Sequence, residues 1–316
     1  MIDRRAFLAC LALAPSLAAA PALAATPRIA ATTGMIADIA RRLTNAPDGA
    51  EVTALMGAGM DPHAYRPTRT DILALSRADV ILWHGLNLEA QFTDVMADLS
   101  RQRRVAALAE GLPAEKLLAD PEYPDRPDPH VWFDPELWTL VMQEGARVLA
   151  EAGFDTAAPA QAYAADATAL DSYARSVLAS VPESARLLVT AHDAFAYFGR
   201  AYGWQVEGIQ GISTESEAGL ARITELVDLL VARDIRAIFV ESSVSDRTIR
   251  ALIEGAAAQG HEVVIGGELF SDAMGPDGTY EGTWLGMMDH NITTIARALG
   301  GEAPPRGMSG KLAAGT

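Results

Sequence analysis

Residues 157–181 read AAPAQAYAADATALDSYARSVLASV. This stretch lacks the alternation of a strand and is rich in alanine, leucine, aspartate and arginine, all of which a helix tolerates. Short apolar runs alternate with helical patterns both before and after it. We therefore predict one long linking helix, with bounds at 157–182, between two similar halves of the chain.

Both halves show the same order of elements. Each has four strand candidates separated by helical patterns, at 28–33, 51–56, 79–84 and 104–109, and at 186–190, 205–210, 237–241 and 262–266. Such alternation is typical of parallel sheets with right-handed crossovers and helices on the sheet faces. We predict an α/β fold of two lobes, 26–156 and 183–316, each with a four-stranded parallel sheet flanked by helices. A ligand site is expected in the cleft between them.

The composition narrows the classes of function. The chain has 316 residues, half of them hydrophobic, and a formal net charge of −16. Binding to a phosphate backbone requires basic patches, so nucleic acid is not an expected partner. An acidic surface suits a soluble protein and attracts cations weakly.

The N-terminal segment has the pattern of an export signal. Two adjacent arginines precede an apolar stretch over 7–23, which two prolines interrupt and which ends in small residues up to position 25. This predicts a signal peptide at 1–25, of the twin-arginine or the Sec type, and a periplasmic mature protein. The single cysteine, Cys10, lies inside this segment. Any metal site of the mature chain must therefore use histidines, carboxylates or other oxygen ligands.

Three histidines and one aspartate lie where a ligand site is expected. His63, His192 and Asp272 follow strand candidates directly, and His130 lies farther along a long loop. The same Asp-Pro dipeptide precedes His63 and His130, and proline limits the directions in which each ring can point. Three imidazoles and a carboxylate suit tetrahedral zinc, or a slightly larger manganese site. The spacing indicates a metal site, although ligands scattered this widely are not established by spacing.

Other interpretations of these residues remain open. A loop histidine is more often solvated or hydrogen-bonded than a metal ligand, and Asp272 could simply cap a helix. His84 also ends a strand candidate and competes as a ligand. His261 begins a strand, and His290 lies in the final helix, where packing is the simpler role.

At these residues the chain resembles the zinc- and manganese-binding solute receptors of ABC importers, often called TroA-like, over residues 28–299. The motifs that carry the resemblance are DPHAYRPT at 61–68, DPHVW at 128–132, TAHDAFAYF at 190–198 and GGELFSD at 266–272. The resemblance implies two α/β lobes joined by one long helix. It places the metal ligands at His63, His130, His192 and Asp272. It also implies a monomeric receptor, not an enzyme, that delivers one zinc or manganese ion to the permease of an ABC importer.

Two details bear on the metal. Relatives dedicated to manganese commonly have glutamate as the third ligand, and His192 in its place shifts the preference toward zinc. Zinc-specialised relatives often carry a histidine-rich loop before the second ligand, whereas residues 120–127 here are short and acidic. Zinc is slightly favoured, and manganese remains open. The family also usually has asparagine near position 84, where this chain has His84.

Two competing functions are weighed against a metal receptor. A secreted zinc-dependent hydrolase needs an open coordination position and a general base, for which Glu241 and Glu268 are the candidates. A metal-chelate receptor on the same fold needs a cleft large enough for the organic ligand.

If imidazoles bind the metal, its affinity should fall as the pH drops through about 6.5.

Overall fold

The computed structural model describes residues 26–216 and 218–313, so the predicted signal peptide at 1–25 lies outside the described residues. The first half contains β1 (Arg28–Ala31), α1 (Gly34–Thr44), β2 (Glu51–Ala54), α2 (Arg69–Arg77), β3 (Val80–Trp83), α3 (Thr93–Leu99), β4 (Arg104–Ala107) and α4 (Pro135–Glu151). After α5 (Ala157–Ala179), the second half contains β5 (Leu187–His192), α6 (Ala196–Tyr202), β6 (Gln205–Gln210), α7 (Leu220–Ala232), β7 (Ala237–Glu241), α8 (Arg247–Ala258), β8 (Val264–Leu269) and α9 (Trp284–Ala298).

The first half forms a four-stranded parallel sheet with the order β2-β1-β3-β4. Its two central strands are almost entirely buried, as expected for a parallel sheet that is covered by helices. Local signals set the helix starts. Thr68 and Asp71 form a capping box at α2, and Asp134 caps α4 with Pro135 in the first turn. The end of the DPHAYRPT motif is therefore a helix start.

The second half also has parallel strands, but its hydrogen-bonded ladders are two pairs, β5-β6 and β7-β8. Strands β5 and β7 lie beside each other. The predicted four-stranded sheet is therefore divided within the described residues. A bulge between Ile238 and Phe239 shifts the register of β7 against β8, and a bulge increases the local twist of a strand.

Several strand bounds differ from the predicted ones by one to three residues, and those of β5 and β8 bear on the candidate ligands. Strand β5 continues to His192, because the backbone of this residue still pairs with Gln210. Strand β8 covers Val264–Leu269 instead of 262–266. His192 is thus held inside the sheet and does not follow it in a loop.

Helix α5 packs against elements of both halves. Its buried residues recur at helical spacing, and the helix contacts α1 and α4 of the first half and α6 and α9 of the second. The main hydrophobic core is continuous across the halves and includes Trp132, Trp138, Phe195 and Trp284. This core fixes the relative position of the loops that carry the candidate ligands. Within the described residues, no helix has the length and apolar character that a membrane span requires.

Candidate metal centre

The structure brings the four predicted residues together. His63, His130, His192 and Asp272 each offer one ligand atom, and these atoms all lie within 4.8 Å of one another. All four side chains are buried; His63 retains 7% of its exposure and the others 2% or less. The residues come from four separate loops or strand ends and from both halves of the chain.

The spacing of the ligand atoms is that of a small coordination sphere. His63 Nε2 lies 3.3 Å from His130 Nε2, and Asp272 lies 3.3 Å from His130 Nε2 and 3.2 Å from His192 Nε2. The separation between His63 Nε2 and Asp272 is 3.9 Å. Ligand atoms at about 2.0–2.1 Å from a tetrahedral zinc ion lie about 3.3–3.4 Å from one another. The cluster can therefore enclose a zinc-sized ion with little movement.

The two Asp-Pro-His motifs hold their histidines in related ways. Asp61 Oδ1 accepts a hydrogen bond from His63 N at 2.8 Å, and Asp128 Oδ1 accepts one from His130 N at 2.9 Å. Asp128 Oδ1 also accepts from His130 Nδ1 at 2.7 Å. This second bond fixes the tautomer and aims His130 Nε2 at the cluster.

His192 is oriented by a residue from a different strand. Glu241, the last residue of β7, accepts from His192 N through Oε1 at 2.9 Å and from His192 Nδ1 through Oε2 at 2.6 Å. Both side chains are fully buried. Like Asp128 for His130, Glu241 binds the ring nitrogen that faces away from the cluster, so that the other nitrogen is free to bind a cation.

The carboxylate of Asp272 has the surroundings expected of a cation ligand. Both of its carboxylate oxygens, and His192 Nε2, are buried without a hydrogen-bond partner of good geometry. A buried carboxylate without partners is costly unless a positive charge compensates it. The adjoining backbone is held firmly, since Asn291 bonds both Phe270 N and Phe270 O, and Trp132 Nε1 donates to Ser271 O at 3.0 Å.

Protons compensate this charge when no metal is bound. Burial lowers the pKa of His130, but the charge and hydrogen bond of Asp128, together with the nearby charge of Asp272, outweigh burial and raise it to about 9. The pKa of His192 is likewise raised by Asp272 and Glu241 in spite of burial. In the case of Asp272, burial would raise the pKa, but the neighbouring histidines hold it well below its usual range.

His63 behaves differently from the other two histidines. Burial lowers its pKa to about 3, and the neighbouring His130 and His192 add to this effect, so its ring is neutral. A proton on each of His130 and His192 adds two positive charges beside the carboxylates of Asp128, Glu241 and Asp272. A divalent cation that displaced these two protons would leave the buried charge unchanged.

The remaining histidines have other partners. His84 Nε2 donates to Pro129 O at 2.8 Å, and its ring stacks on Trp138, so it supports the loop of His130. Burial lowers its pKa to about 3. His261 bonds Ile235 O at 2.7 Å, and His290 bonds Glu268 O at 2.9 Å.

Sequence reasoning missed the residues that orient the cluster. Asp128 stands in the same motif as His130, so its role could have been inferred from the Asp-Pro-His repeat. The sequence indicates Glu241 only as a candidate catalytic base. Its pairing with His192 spans 49 positions, and no local pattern indicates it.

Comparison with known proteins identifies the family. The family described as "ZnuA: Zinc-uptake complex component A periplasmic" matches residues 29–298. The manganese-binding lipoprotein MntA of Bacillus subtilis is 47% identical over 276 residues, which cover 84% of this chain and 88% of that protein. The zinc-binding protein TroA of Treponema pallidum is 43% identical over 272 residues, which cover 84% and 86%.

The solved structures agree with this assignment. The structure of the periplasmic zinc-binding protein TroA from Treponema pallidum has a TM-score of 0.79 at 42% identity and covers 87% of this chain and 99% of that one. The predicted α/β architecture and the predicted resemblance to TroA-like metal receptors are thereby confirmed. The chain belongs to the ZnuA family of periplasmic zinc-uptake components.

Proposed function

We propose that this protein is an extracytoplasmic receptor that binds one divalent transition-metal ion and delivers it to the permease of an ABC importer. The proposed ligands are His63, His130, His192 and Asp272. The single observation that carries the proposal is the spacing of their four buried ligand atoms, together with the unpartnered oxygens of Asp272. The zinc and manganese named for the relatives TroA and MntA support the same class of cargo.

Zinc is the favoured ion, and manganese is the second candidate. Three imidazole nitrogens and one carboxylate at tetrahedral spacing match the ligand preference of zinc. Manganese prefers oxygen ligands and more of them, and here it would have to use both oxygens of Asp272. Comparison of zinc and manganese affinities on metal-free protein decides between them.

The site does not favour hydrolysis. Four protein ligands fill a tetrahedral sphere and leave no position for an activated water, as expected of a transport site. Both oxygens of Glu241 are engaged by His192, so Glu241 is not available as a base. Glu268 is exposed to solvent and its backbone oxygen, not its carboxylate, bonds His290.

The size of the adjoining cavity argues against a metal-chelate ligand. The cavity that reaches His63 has a volume of about 200 Å³. Sites for organic ligands usually measure about 300–1,000 Å³. A bare ion fits the buried cluster better than a chelate does.

The proposal includes the organisation of the chain. We assign residues 1–25 to a cleaved signal peptide, 26–156 and 183–316 to two lobes, and 157–182 to the linking segment. The mature protein then acts as a periplasmic monomer that does not bind nucleic acid, consistent with the net charge of −16 of the full chain.

Metal analysis of the purified mature protein tests the proposal. We expect one ion per chain. A structural zinc site contributes about 10–16 kcal/mol, which is about 3 kcal/mol for each of four ligands, so replacing one ligand histidine by alanine should weaken binding by roughly 100-fold. His261→Ala serves as the control, because this ring bonds Ile235 O away from the cluster. Undiminished stoichiometric binding in the His63, His130 and His192 variants would refute the assignment.

A further inference from the structure

One hydrogen bond connects the second half of the chain to the carboxylate that holds a candidate metal ligand of the first. The hydroxyl of Thr214 donates to Asp61 Oδ2. The other oxygen of the same carboxylate accepts from His63 N at 2.8 Å. The loop 211–216, which follows β6, is therefore linked to the backbone of His63 through a single carboxylate.

This loop lies over the open side of the cluster. His63 lines the cavity of about 200 Å³, and Ile212, Ser213, Glu215 and Ser216 of the loop line it as well. His63 is also the candidate ligand that keeps the largest exposed fraction, 7%. Solvent, and hence an arriving ion, reaches the cluster from the side that the loop covers.

The bond between Thr214 and Asp61 differs from deeper contacts between the halves. Trp132 Nε1 donates to Ser271 O and Trp284 Nε1 donates to Trp132 O, and both bonds are buried in the continuous core. The bond from Thr214 is only partly buried. Water can therefore replace it without disruption of the core, whereas the tryptophan contacts break only with the core itself.

We propose that Thr214 is a positioning residue, which holds His63 in place through Asp61, and that rupture of this bond opens the path by which the ion enters and leaves. The inference rests on the proposed metal-receptor function. When the loop lifts, water solvates both Thr214 and Asp61, and His63 loses the restraint on its backbone. The bond thus sets mainly the rates of capture and release.

The rate of zinc release into excess chelator, measured by stopped flow on the full mature protein, tests the inference. Thr214→Val keeps the shape of the side chain but removes the donor. Loss of one hydrogen bond to a carboxylate should speed release about tenfold, which corresponds to about 1.4 kcal/mol. Thr214→Ser keeps the hydroxyl and should release zinc at nearly the wild-type rate.

Two further variants separate the bond from general loosening of the loop. Ser213→Ala is the matched control, because Ser213 Oγ accepts a hydrogen bond from Glu215 N of the same loop. It should release zinc at the wild-type rate. Asp61→Ala should speed release at least as much as Thr214→Val, and the double variant should be no faster than Asp61→Ala.

Several results would overturn the inference. The inference fails if Thr214→Val releases zinc at the wild-type rate. It also fails if Ser213→Ala or Thr214→Ser releases zinc as fast as Thr214→Val. Melting of the metal-free proteins should give the same temperature for wild type and Thr214→Val. If wild-type protein took up no ion, the proposed function would fail and this inference with it. If wild type loads one ion and Thr214→Val releases it unchanged, only the role of Thr214 is refuted.

Discussion

Glu241→Gln tests how the protein tunes its proposed metal ligands. In the native protein, the two oxygens of Glu241 accept from His192 N and His192 Nδ1 at 2.9 and 2.6 Å. Glutamine has one acceptor oxygen, and its amide group would face an N–H donor at the other position. One bond is therefore lost together with the negative charge. A hydrogen bond to a charged group contributes about 1.5–3 kcal/mol, so we expect metal binding to weaken by about 10–100-fold.

A second effect acts in the opposite direction and depends on pH. The charge of Glu241 helps to raise the pKa of His192, and a proton on His192 competes with the metal. Glu241→Gln lowers the pKa of His192 and so weakens the competition from this proton. Part of the lost metal affinity is therefore regained near neutral pH. As the pH rises, competition from this proton weakens in both proteins and more of the loss appears. The ratio of wild-type to variant affinity should therefore be larger at about pH 9.5 than at about pH 6.5.

Competition with a chromophoric chelator measures both affinities. Glu268→Gln is the control, because it removes an exposed carboxylate from the strand that leads to Asp272 and should leave the affinity unchanged. Equal affinity of wild type and Glu241→Gln at both pH values would refute the reasoning. An equal loss in both variants would also refute it, because net charge alone would then explain the effect.

Three further predictions follow from other contacts. Because the pKa of His130 is about 9 in the metal-free protein, metal affinity should already fall as the pH drops below about 9 instead of near 6.5. Proton release on zinc binding in weakly buffered solution measures this effect. A flat affinity profile from pH 9 to pH 6 would contradict it. Burial raises the pKa of Asp38 to about 6. Ionisation of Asp38 at pH 7 therefore costs about 3 kcal/mol of folding free energy, and this stability is lost as the pH rises from about 4 through 6. Asp38→Asn, which can still accept from Trp284 N, should therefore stabilise the protein in urea at pH 7 and not at pH 4. His84→Leu removes the donor to buried Pro129 O and should weaken zinc binding roughly tenfold. His84→Asn should restore part of the zinc affinity. Equal affinities in both variants would show that this bond is unimportant.

Local sequence patterns are sufficient to predict the class of fold and the residue types of the candidate site. Periodicity is a local property, so alternating strands and helices could be read from short windows, as could the long helix that became α5. The positions of His63, His130, His192 and Asp272 in loops or at strand ends came from motifs that are also local.

The way in which these residues meet depends on the packing of distant segments. The pairing of Glu241 with His192, the link from Thr214 to Asp61 and the place of His84 behind Pro129 join residues between 45 and 153 positions apart. The division of the second sheet into the pairs β5-β6 and β7-β8 is likewise visible only in the structure. Such contacts arise from the packing of whole elements around a shared core, and a local pattern carries no information about the relative position of two distant segments.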